Sequence, residues 1–406
     1  MHLVAIVGRT VNMPLIRSAV FALALICSFN ADAKPYLPSS DEQVLAKVPT
    51  RFDPYARALA TLRVQLTAAP QNLDAAVAYA RAALKIGHAR SDPRYYGYAE
   101  AALGPWWAMD DAAQPVLLLR ATIHQFFHAF DLARADLDRA LKRNPGDAQA
   151  RLIRATVQQV QGHPELALAD CEQLKQQVEA LIATACAASA SSLMGHAVRA
   201  EALLGFVLDQ SRPGATDARL WAETLQAEIA ERLGQVEQAK VAYQRALVTM
   251  DALGVTDAYL LAAWADFSIA QKQNEPVIVR LKNQTDIDNL LLRLALAEQA
   301  EGKSSADLAQ HREMLEARFM AARQRGEAVH LREEAMYQLY LVNDVASALR
   351  LSQQDWQVQR EPLDALILLN AAKASRRVDA AKPVLDWISA TAIEDQRLSR
   401  AAGELK

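Results

Sequence analysis

Two histidines have a spacing that could support metal chemistry. His124 and His128 stand four positions apart, so in a helix both imidazoles lie on one face and could share an ion such as zinc. The rival interpretation is that they pack between helices, and no third ligand is indicated. We therefore predict no metal site and no cofactor.

Two cysteines, Cys171 and Cys186, could form a disulfide bond if the chain is exported to an oxidising compartment. If a turn near Val178 separates two antiparallel helices, the cysteines lie at similar distances from that turn and face each other. Residues 165–193, however, contain no Pro or Gly at the expected turn. As one continuous helix they would hold the sulfur atoms about 22 Å apart at ~1.5 Å per residue. The sequence leaves both arrangements open.

Familiar catalytic motifs are absent from the sequence. It contains no phosphate-binding glycine loop, no Gly-x-Ser-x-Gly, no Cys-x-x-Cys and no His-Glu-x-x-His. Residues 330–334 resemble an inverted metalloprotease motif but end in Glu334 where a second His is required. We predict that the protein is not an enzyme.

An aromatic cluster stands out before residue 110. Its members are Tyr95, Tyr96, Tyr98, Trp106 and Trp107. Aromatic side chains serve both as interface anchors and as core residues. With a turn at Pro105, we expect that Trp106 and Trp107 cannot both point inward, and we predict that the cluster contacts a ligand or partner.

The composition indicates an all-α protein with a large core. The chain has 406 residues, of which 52% are hydrophobic, with only 14 Gly and 15 Pro. Residues 276–279 form the one strand-like stretch and are flanked by helical patterns. The formal net charge of −3 and the absence of any run of five like charges argue against binding to nucleic acid or an anionic membrane surface.

Residues 114–181 can be laid over themselves with a shift of 34 residues. Ala121 then matches Ala155, and Ala133 matches Ala167. Each unit contains two amphipathic helical patterns, with breaks at Pro145 and around Gly162. A 34-residue helix-turn-helix unit with small residues on its packing faces resembles the tetratricopeptide repeat family. The resemblance implies an all-α superhelical solenoid in which neighbouring hairpins share one elongated core.

The strength of this resemblance varies along the chain. Residues 53–256 match the repeat well, beginning with a capping helix, whereas 257–406 keep only helical periodicity and are predicted to continue the same solenoid as degenerate repeats. In the early part, Gly87 is expected at a turn and 88–93 as an insertion. His128 stands where the first clear unit should have its turn glycine. The charged tail 394–406 is expected to fray.

In this family the inner face of the first helix of each repeat meets ligands. The resemblance places there Leu118, Thr122, Gln125, Phe126, Leu152, Thr156, Gln159, Glu228, Glu231 and Arg232. The first seven of these predict an apolar, neutral groove. The last three could bind a basic peptide segment; the rival interpretation is a solvent-exposed helix face on which Glu228 pairs with Arg232. The groove lacks the Lys/Asn/Arg set with which chaperone-binding members clamp a C-terminal carboxylate.

The N-terminus has the features of an export signal. Arg17 precedes the apolar run 19–29, which is too short to span a bilayer comfortably, and small residues follow at the cleavage spacing. We predict a signal peptide over 1–33, cleaved after Ala33, and an extended lead-in over 34–52. Translation could start at Met13 instead of Met1. Lipidation at Cys27 is disfavoured because Ile26 is bulky.

These observations predict a periplasmic or secreted protein with no membrane insertion after signal cleavage. Its expected function is that of a non-catalytic scaffold that binds a protein or an extended peptide in its concave groove within the cell envelope. The alternative is an envelope assembly factor or a carrier for a small ligand or metal, using the aromatic cluster or the two histidines.

Overall fold

The computed structural model describes residues 54–302, 306–325 and 331–405. This part of the chain consists of α-helices packed as antiparallel pairs, and no β-strand occurs within it. The prediction of an all-α, tetratricopeptide-like solenoid is confirmed. The predicted signal peptide 1–33, the lead-in 34–52 and His330 lie outside the described residues.

The helices follow one another with short connections. In the first half they are α1 (Pro54–Ala68), α2 (Leu73–Arg90), α3 (Pro93–Trp107), α4 (Gln114–Phe126), α5 (Phe130–Arg143), α6 (Ala148–Val160), α7 (Pro164–Gln173), α8 (Ala180–Ser191), α9 (Ala197–Gln210) and α10 (Asp217–Arg232). In the second half they are α11 (Val236–Leu253), α12 (Ala258–Ala270), α13 (Asn274–Leu281), α14 (Asp288–Ala300), α15 (Ala306–Gln324), α16 (Leu331–Met336), α17 (Val345–Val358), α18 (Pro362–Ala374), α19 (Lys382–Thr391) and α20 (Gln396–Gly403). A π-helical segment, Tyr337–Val342, extends α16. After α1, each even-numbered helix pairs with the odd-numbered helix that follows it, and α20 ends the array.

The 34-residue spacing is visible in the helix borders. Helix α6 begins 34 residues after α4, and α7 begins 34 residues after α5. Ala121 and Ala155 occupy equivalent positions and are 0% and 1% exposed, which lets the helices approach closely. His128 takes the left-handed conformation at its turn (φ 58°), as Gly162 does at the next turn (φ 82°). The histidine therefore replaces the consensus glycine without a change of turn.

The expected insertion at 88–93 is wrong. Helix α2 continues through Gly87 to Arg90, and Asp92 caps the start of α3 by accepting a hydrogen bond from the Arg94 backbone N–H at 3.0 Å. Gly87 is needed for helix contact rather than for a turn, because a Cβ there would lie 2.8 Å from Cε2 of Tyr96.

The C-terminal part is more regular than its sequence pattern predicts. Helix α13 includes the strand-like stretch 276–279. The expectation that the tail frays is wrong: residues 396–403 form α20, whose Leu398 is 1% exposed and joins the core cluster of Leu193 and Trp356. The apolar side of this short helix packs, although the sequence around it is charged.

The superhelix closes on itself, because residues 360–397 lie across the hairpin turns of the first half. The backbone N–H of Arg360 donates to the Val160 carbonyl at 2.7 Å. The backbone N–H of Ala197 donates to the Glu394 carboxylate at 2.5 Å. The side-chain amide of Gln396 donates to the Leu233 carbonyl at 2.8 Å. The inner side of the solenoid is therefore enclosed by the chain's own later helices.

Candidate binding channel

Two adjoining cavities follow the inner side of the superhelix. We call them the outer chamber, of about 480 Å³, and the inner chamber, of about 170 Å³. The walls of both include Tyr259, Asn289, Arg332, Glu333 and Glu361. These shared walls make the two cavities one channel.

The outer chamber is built mainly from helices of the N-terminal repeats. Thr122, Gln125 and Phe126 of α4 line it, as the groove prediction placed them, and Tyr96 of α3 lies behind Phe126. The rings of Tyr96 and Phe126 are stacked, with centroids 3.6 Å apart and planes at 13°. This stack gives the α4 side of the outer chamber an apolar patch beside the neutral polar groups of Thr122 and Gln125.

The inner chamber is strongly charged, as Glu228, Glu231 and Arg232 indicated. Because Arg332, Glu333 and Glu361 also line the outer chamber, the prediction of an apolar, neutral groove is wrong for the side of that chamber opposite α4. Three arginines from the second half each contact two carboxylates: Arg293 contacts Asp266 and Glu333, Arg332 contacts Glu361 and Asp364, and Arg397 contacts Glu231 and Asp395. No local signal in the degenerate repeats pointed to these arginines, since they reach the chamber only because the superhelix closes.

Glu228 and Arg232, one turn apart on α10, are not joined to each other. Arg232 is 7% exposed and donates through Nη2 to Ser192 Oγ at 2.7 Å, while its Nε is buried without a hydrogen-bond partner. Glu228 Oε1 accepts a hydrogen bond from the Tyr259 hydroxyl at 2.7 Å. The alternative of a solvent-exposed, salt-bridged helix face is therefore wrong. Asn289 Oδ1 is a second buried atom of this wall without a partner.

Enclosure changes the acid–base behaviour of the chamber. Desolvation raises the pKa of Glu228 to about 7, against the opposing effects of Arg232 and of the hydrogen bond from Tyr259. Desolvation likewise raises the pKa of Glu231, opposed by Arg397. The chamber thus contains a carboxyl group that ionises near neutral pH.

The remaining groove residues have mixed positions. Gln159 lines the inner chamber and accepts a hydrogen bond from the Ser189 hydroxyl at 2.7 Å. Leu118 and Leu152 pack against core clusters, and Thr156 is exposed and donates to the Leu152 carbonyl at 3.1 Å. The walls of the two chambers do not include Leu118, Leu152 or Thr156.

The aromatic cluster is divided by the fold. Tyr96 is buried at the channel, whereas Tyr98 is 49% exposed and meets Tyr95 edge to face at 5.7 Å. Trp106 and Trp107 are both half-buried against the same core, so the expectation that they cannot both point inward is wrong. Adjacent helical positions lie about 100° apart, which is within the width of one apolar stripe.

The two histidines have separate environments. His124 Nε2 lies 4.0 Å from Asp136 Oδ2 and its ring is 5.4 Å from that of Trp107, while the His128 ring stacks on Phe130 at 5.4 Å. Across the described ranges, no group of three or more His, Cys, Asp or Glu side chains is arranged to hold a metal ion.

Cys171 and Cys186 form a disulfide bond with their Cα atoms 5.4 Å apart. The turn that brings them together needs no Gly or Pro, because Gln177 is right-handed (φ −112°, ψ −24°) and Glu179 is extended (φ −57°, ψ 146°). Both cysteines are buried, in a small cluster with Ala155, Ala167 and Leu174.

No family model matches the chain, and no curated protein matches it. Among solved structures, the crystal structure of the APC/C hetero-tetramer Cut9–Hcn1 is 12% identical, with 86% of this chain and 80% of that chain covered and a TM-score of 0.40. The structure of Naa15/Naa10 bound to HypK-THB is 16% identical, with 86% of this chain and 63% of that chain covered and a TM-score of 0.24. The assignment of the fold therefore rests on the helical hairpins of this chain itself.

None of the helices in the described ranges combines the length and apolar character needed to cross a membrane.

Proposed function

We propose that the protein is an exported, non-catalytic scaffold that binds a segment of a protein partner, or an extended peptide, in the channel along its inner side. The observation that carries this proposal is the placement of Thr122, Gln125 and Phe126 in the wall of the outer chamber. The volume of that chamber, about 480 Å³, lies within the ~300–1,000 Å³ typical of binding pockets. On its α4 side, the neutral polar groups beside a stacked aromatic pair suit backbone amides and an apolar side chain, and the opposite side is charged.

Site-specific photocrosslinking tests the position of the partner. A photoreactive residue in place of Gln125 faces the outer chamber, whereas one in place of Leu132, which is 56% exposed on α5, serves as the matched outer control. We expect a defined crosslinked partner from position 125 and none from position 132. The reverse pattern would place binding on the outer surface and refute the channel.

A blocking variant gives a second test on the same proposal. Gln149 is exposed at the wall of the outer chamber, so Gln149→Trp fills space there, and Gln173→Trp makes the same change on the exposed outer side of α7. We expect the first variant to abolish capture of the crosslinked partner and the second to leave it unchanged, with equal melting temperatures. Full capture by Gln149→Trp would contradict the proposal.

Export is tested by the N-terminus of the mature protein. Signal cleavage after Ala33 predicts a first residue of Lys34 in protein isolated from the producing cells. N-terminal sequencing that finds Met1 or Met13 instead would refute export by this signal.

A second candidate function, carriage of a small ligand, is favoured by the inner chamber. Its space of about 170 Å³ is too small for a long peptide, and its walls hold the partnerless atoms Arg232 Nε and Asn289 Oδ1. Buried polar groups usually have partners, so these two atoms are suited to a bound molecule. Mass spectrometry of the solvent extract of natively isolated protein should then show a small molecule in stoichiometric amount, and an empty extract would refute carriage.

A further inference from the structure

We propose that the inner chamber binds a small zwitterion, a molecule with one ammonium and one carboxylate group such as a free amino acid or a dipeptide. This inference rests on the second candidate function and adds the chemical class of the ligand.

We assign Arg232 as the residue that binds the carboxylate of the ligand. Of the four arginines in the chamber wall, Arg293, Arg332 and Arg397 each contact two carboxylates, while Arg232 donates a hydrogen bond to the neutral Ser192 hydroxyl. Its Nε is buried and has no partner. A carboxylate is the acceptor that best matches a guanidinium, because it can accept two parallel hydrogen bonds. The arrangement therefore offers one place for an anion.

We assign Glu228 and Asn289 as the residues that bind the ammonium group of the ligand. Among the described residues, Glu228 receives a hydrogen bond from Tyr259 and forms no ion pair within 4.0 Å, while Asn289 Oδ1 is buried without a donor. Both residues line the inner chamber. An ammonium group carries three donors and no acceptor, so it can satisfy both oxygens together. Because Glu228 and Arg232 are four residues apart, their Cα atoms are separated by about 6 Å along the helix, a span that suits a short zwitterion.

The surrounding charges favour a zwitterion over a plain anion. Each of the three paired arginines is flanked by two carboxylates, so the wall apart from Glu228 and Arg232 carries more negative than positive charge. A ligand with only a negative charge would be repelled by this excess negative charge and would have no ammonium group to interact with it. A plain cation would leave Arg232 Nε unpartnered, and buried donors without partners are costly.

Ligand binding should release a proton near neutral pH. The charged groups that face Glu228 are Glu231 and Arg232 on its own helix, Asp266 on α12, Arg293 on α14, Arg332 and Glu333 on α16, Glu361 before α18 and Arg397 on α20, together with the hydroxyls of Tyr243 and Tyr259. Desolvation by burial raises the pKa of Glu228 to about 7, against the opposing effects of Arg232 and Tyr259. An ammonium ligand requires the ionised form, so its affinity should rise up to about tenfold from pH 6 to pH 8.

Isothermal titration calorimetry on the full mature chain tests the proposal with defined probes. The zwitterions are L-alanine and L-alanyl-L-alanine; the single-charge controls are N-acetyl-L-alanine, an anion, and L-alaninamide, a cation. We expect at least one zwitterion to bind, and each single-charge relative of it to bind at least about tenfold more weakly, since one buried charged partner is then lost. Comparing the affinities of L-alanine and L-alanyl-L-alanine shows whether the chamber binds free amino acids or dipeptides.

Two variants locate the binding. Glu228→Gln keeps the shape and should weaken zwitterion binding at pH 8 and remove its pH dependence, and Arg232→Met should abolish it. Glu237→Gln, an exposed site on α11, is the matched control and should bind as the wild type does. Circular dichroism checks that each variant is folded. If Arg232→Met does not fold, the comparison of zwitterions with single-charge probes on the wild type still tests the proposal.

The outcomes are separable. If the native extract contains a small molecule but a single-charge probe binds as tightly as its zwitterion, the zwitterion assignment fails while carriage stands. If the extract is empty and no zwitterion binds the folded wild type at millimolar concentration, both fail. Unchanged binding by folded Glu228→Gln and Arg232→Met would overturn the assignment to this chamber.

Discussion

Individual side chains of the inner chamber show how context reverses a familiar pattern. A Glu and an Arg four residues apart on an exposed helix ordinarily attract each other and add a few tenths of a kcal/mol. Here Arg232 is turned to Ser192 and Glu228 to Tyr259. The carboxyl group is thereby partly desolvated and has no direct cation. The cost of ionising it is the physical source of its raised pKa.

This cost predicts how Glu228→Gln changes stability with pH. The folded protein holds the Glu228 proton up to about pH 7, whereas the unfolded chain releases it near its ordinary value of 4.5. The folded state therefore binds more protons between these values, and the contribution of Glu228 to stability falls as the pH rises through that window. Without added ligand, we expect Glu228→Gln to be near neutral at pH 5 and stabilising by roughly 2 kcal/mol at pH 8.

Thermal or urea unfolding at the two pH values measures the effect. Glu237→Gln is the control for removal of an exposed carboxylate and should give a much smaller difference between pH 5 and pH 8. A Glu228→Gln variant with the same stability increment at both pH values would show that the carboxyl group is not desolvated.

At the scale of the elements, the disulfide fixes the junction between two neighbouring repeats. Cys171 lies on α7 and Cys186 on α8, so the bond joins the last helix of one hairpin to the first helix of the next. The bridge also spans a connection, residues 174–179, that has no glycine or proline. It therefore strengthens an interface between neighbouring repeats, and such interfaces contribute to solenoid stability together with the stability of each repeat.

Removal of this disulfide should destabilise the protein without changing its fold. Cys171→Ala/Cys186→Ala releases a loop with a sequence separation of 15 residues, for which the chain-entropy model gives about 3 kcal/mol. Urea unfolding of the variant and of the oxidised wild type measures the loss. Reduction of the wild type is the control and should lower its stability by a similar amount. If alkylation of the unreduced, unfolded wild type labels two thiols, the bond is absent.

The sequence predicted this level of structure well where the determinants are local. Ala121, Ala155 and the 34-residue spacing define the hairpins because small residues are required where helices cross. Local signals misled where a residue has a tertiary role, as at Gly87, which serves the contact with Tyr96 rather than a turn. The groove residues on α4 were found for the same local reason. Their partners across the channel, such as Arg332, could not be found, because contacts between residues far apart in sequence depend on how the superhelix closes.

At the scale of the whole molecule, the glycine turns serve two purposes. Gly234 is left-handed (φ 72°) as the hairpin requires, and a Cβ there would also lie 2.1 Å from Oε1 of Gln396. Gly195 has the same double role against the backbone of Ala392, at 3.0 Å. The turns after α8 and α10 are thus the surfaces on which the last helices rest. Closure converts an open groove into a channel with a small inner chamber.

Arg397 joins the last helix to α10 by an ion pair. It contacts Glu231 on α10 at 2.7 Å and the buried Asp395 at 2.8 Å, so it neutralises two carboxylates at the point where the last helix meets the middle of the array. Removing one member of a buried ion pair typically costs about 3–5 kcal/mol, because the charge left behind has no partner. We expect Arg397→Ala to release α19 and α20 from the turns beneath them while the other hairpins keep their helices.

Hydrogen exchange with mass spectrometry measures this release residue range by residue range. In Arg397→Ala, faster exchange should appear in 195–197, 231–235 and 392–403, with the disulfide-linked hairpins unchanged. Arg400→Ala, an exposed arginine on the same helix, is the control and should exchange as the wild type does. Because the inner chamber exists only while the superhelix is closed, Arg397→Ala should also lose any ligand held there. Retained protection of 392–403 would show that apolar packing around Leu398 is sufficient for closure without the ion pairs.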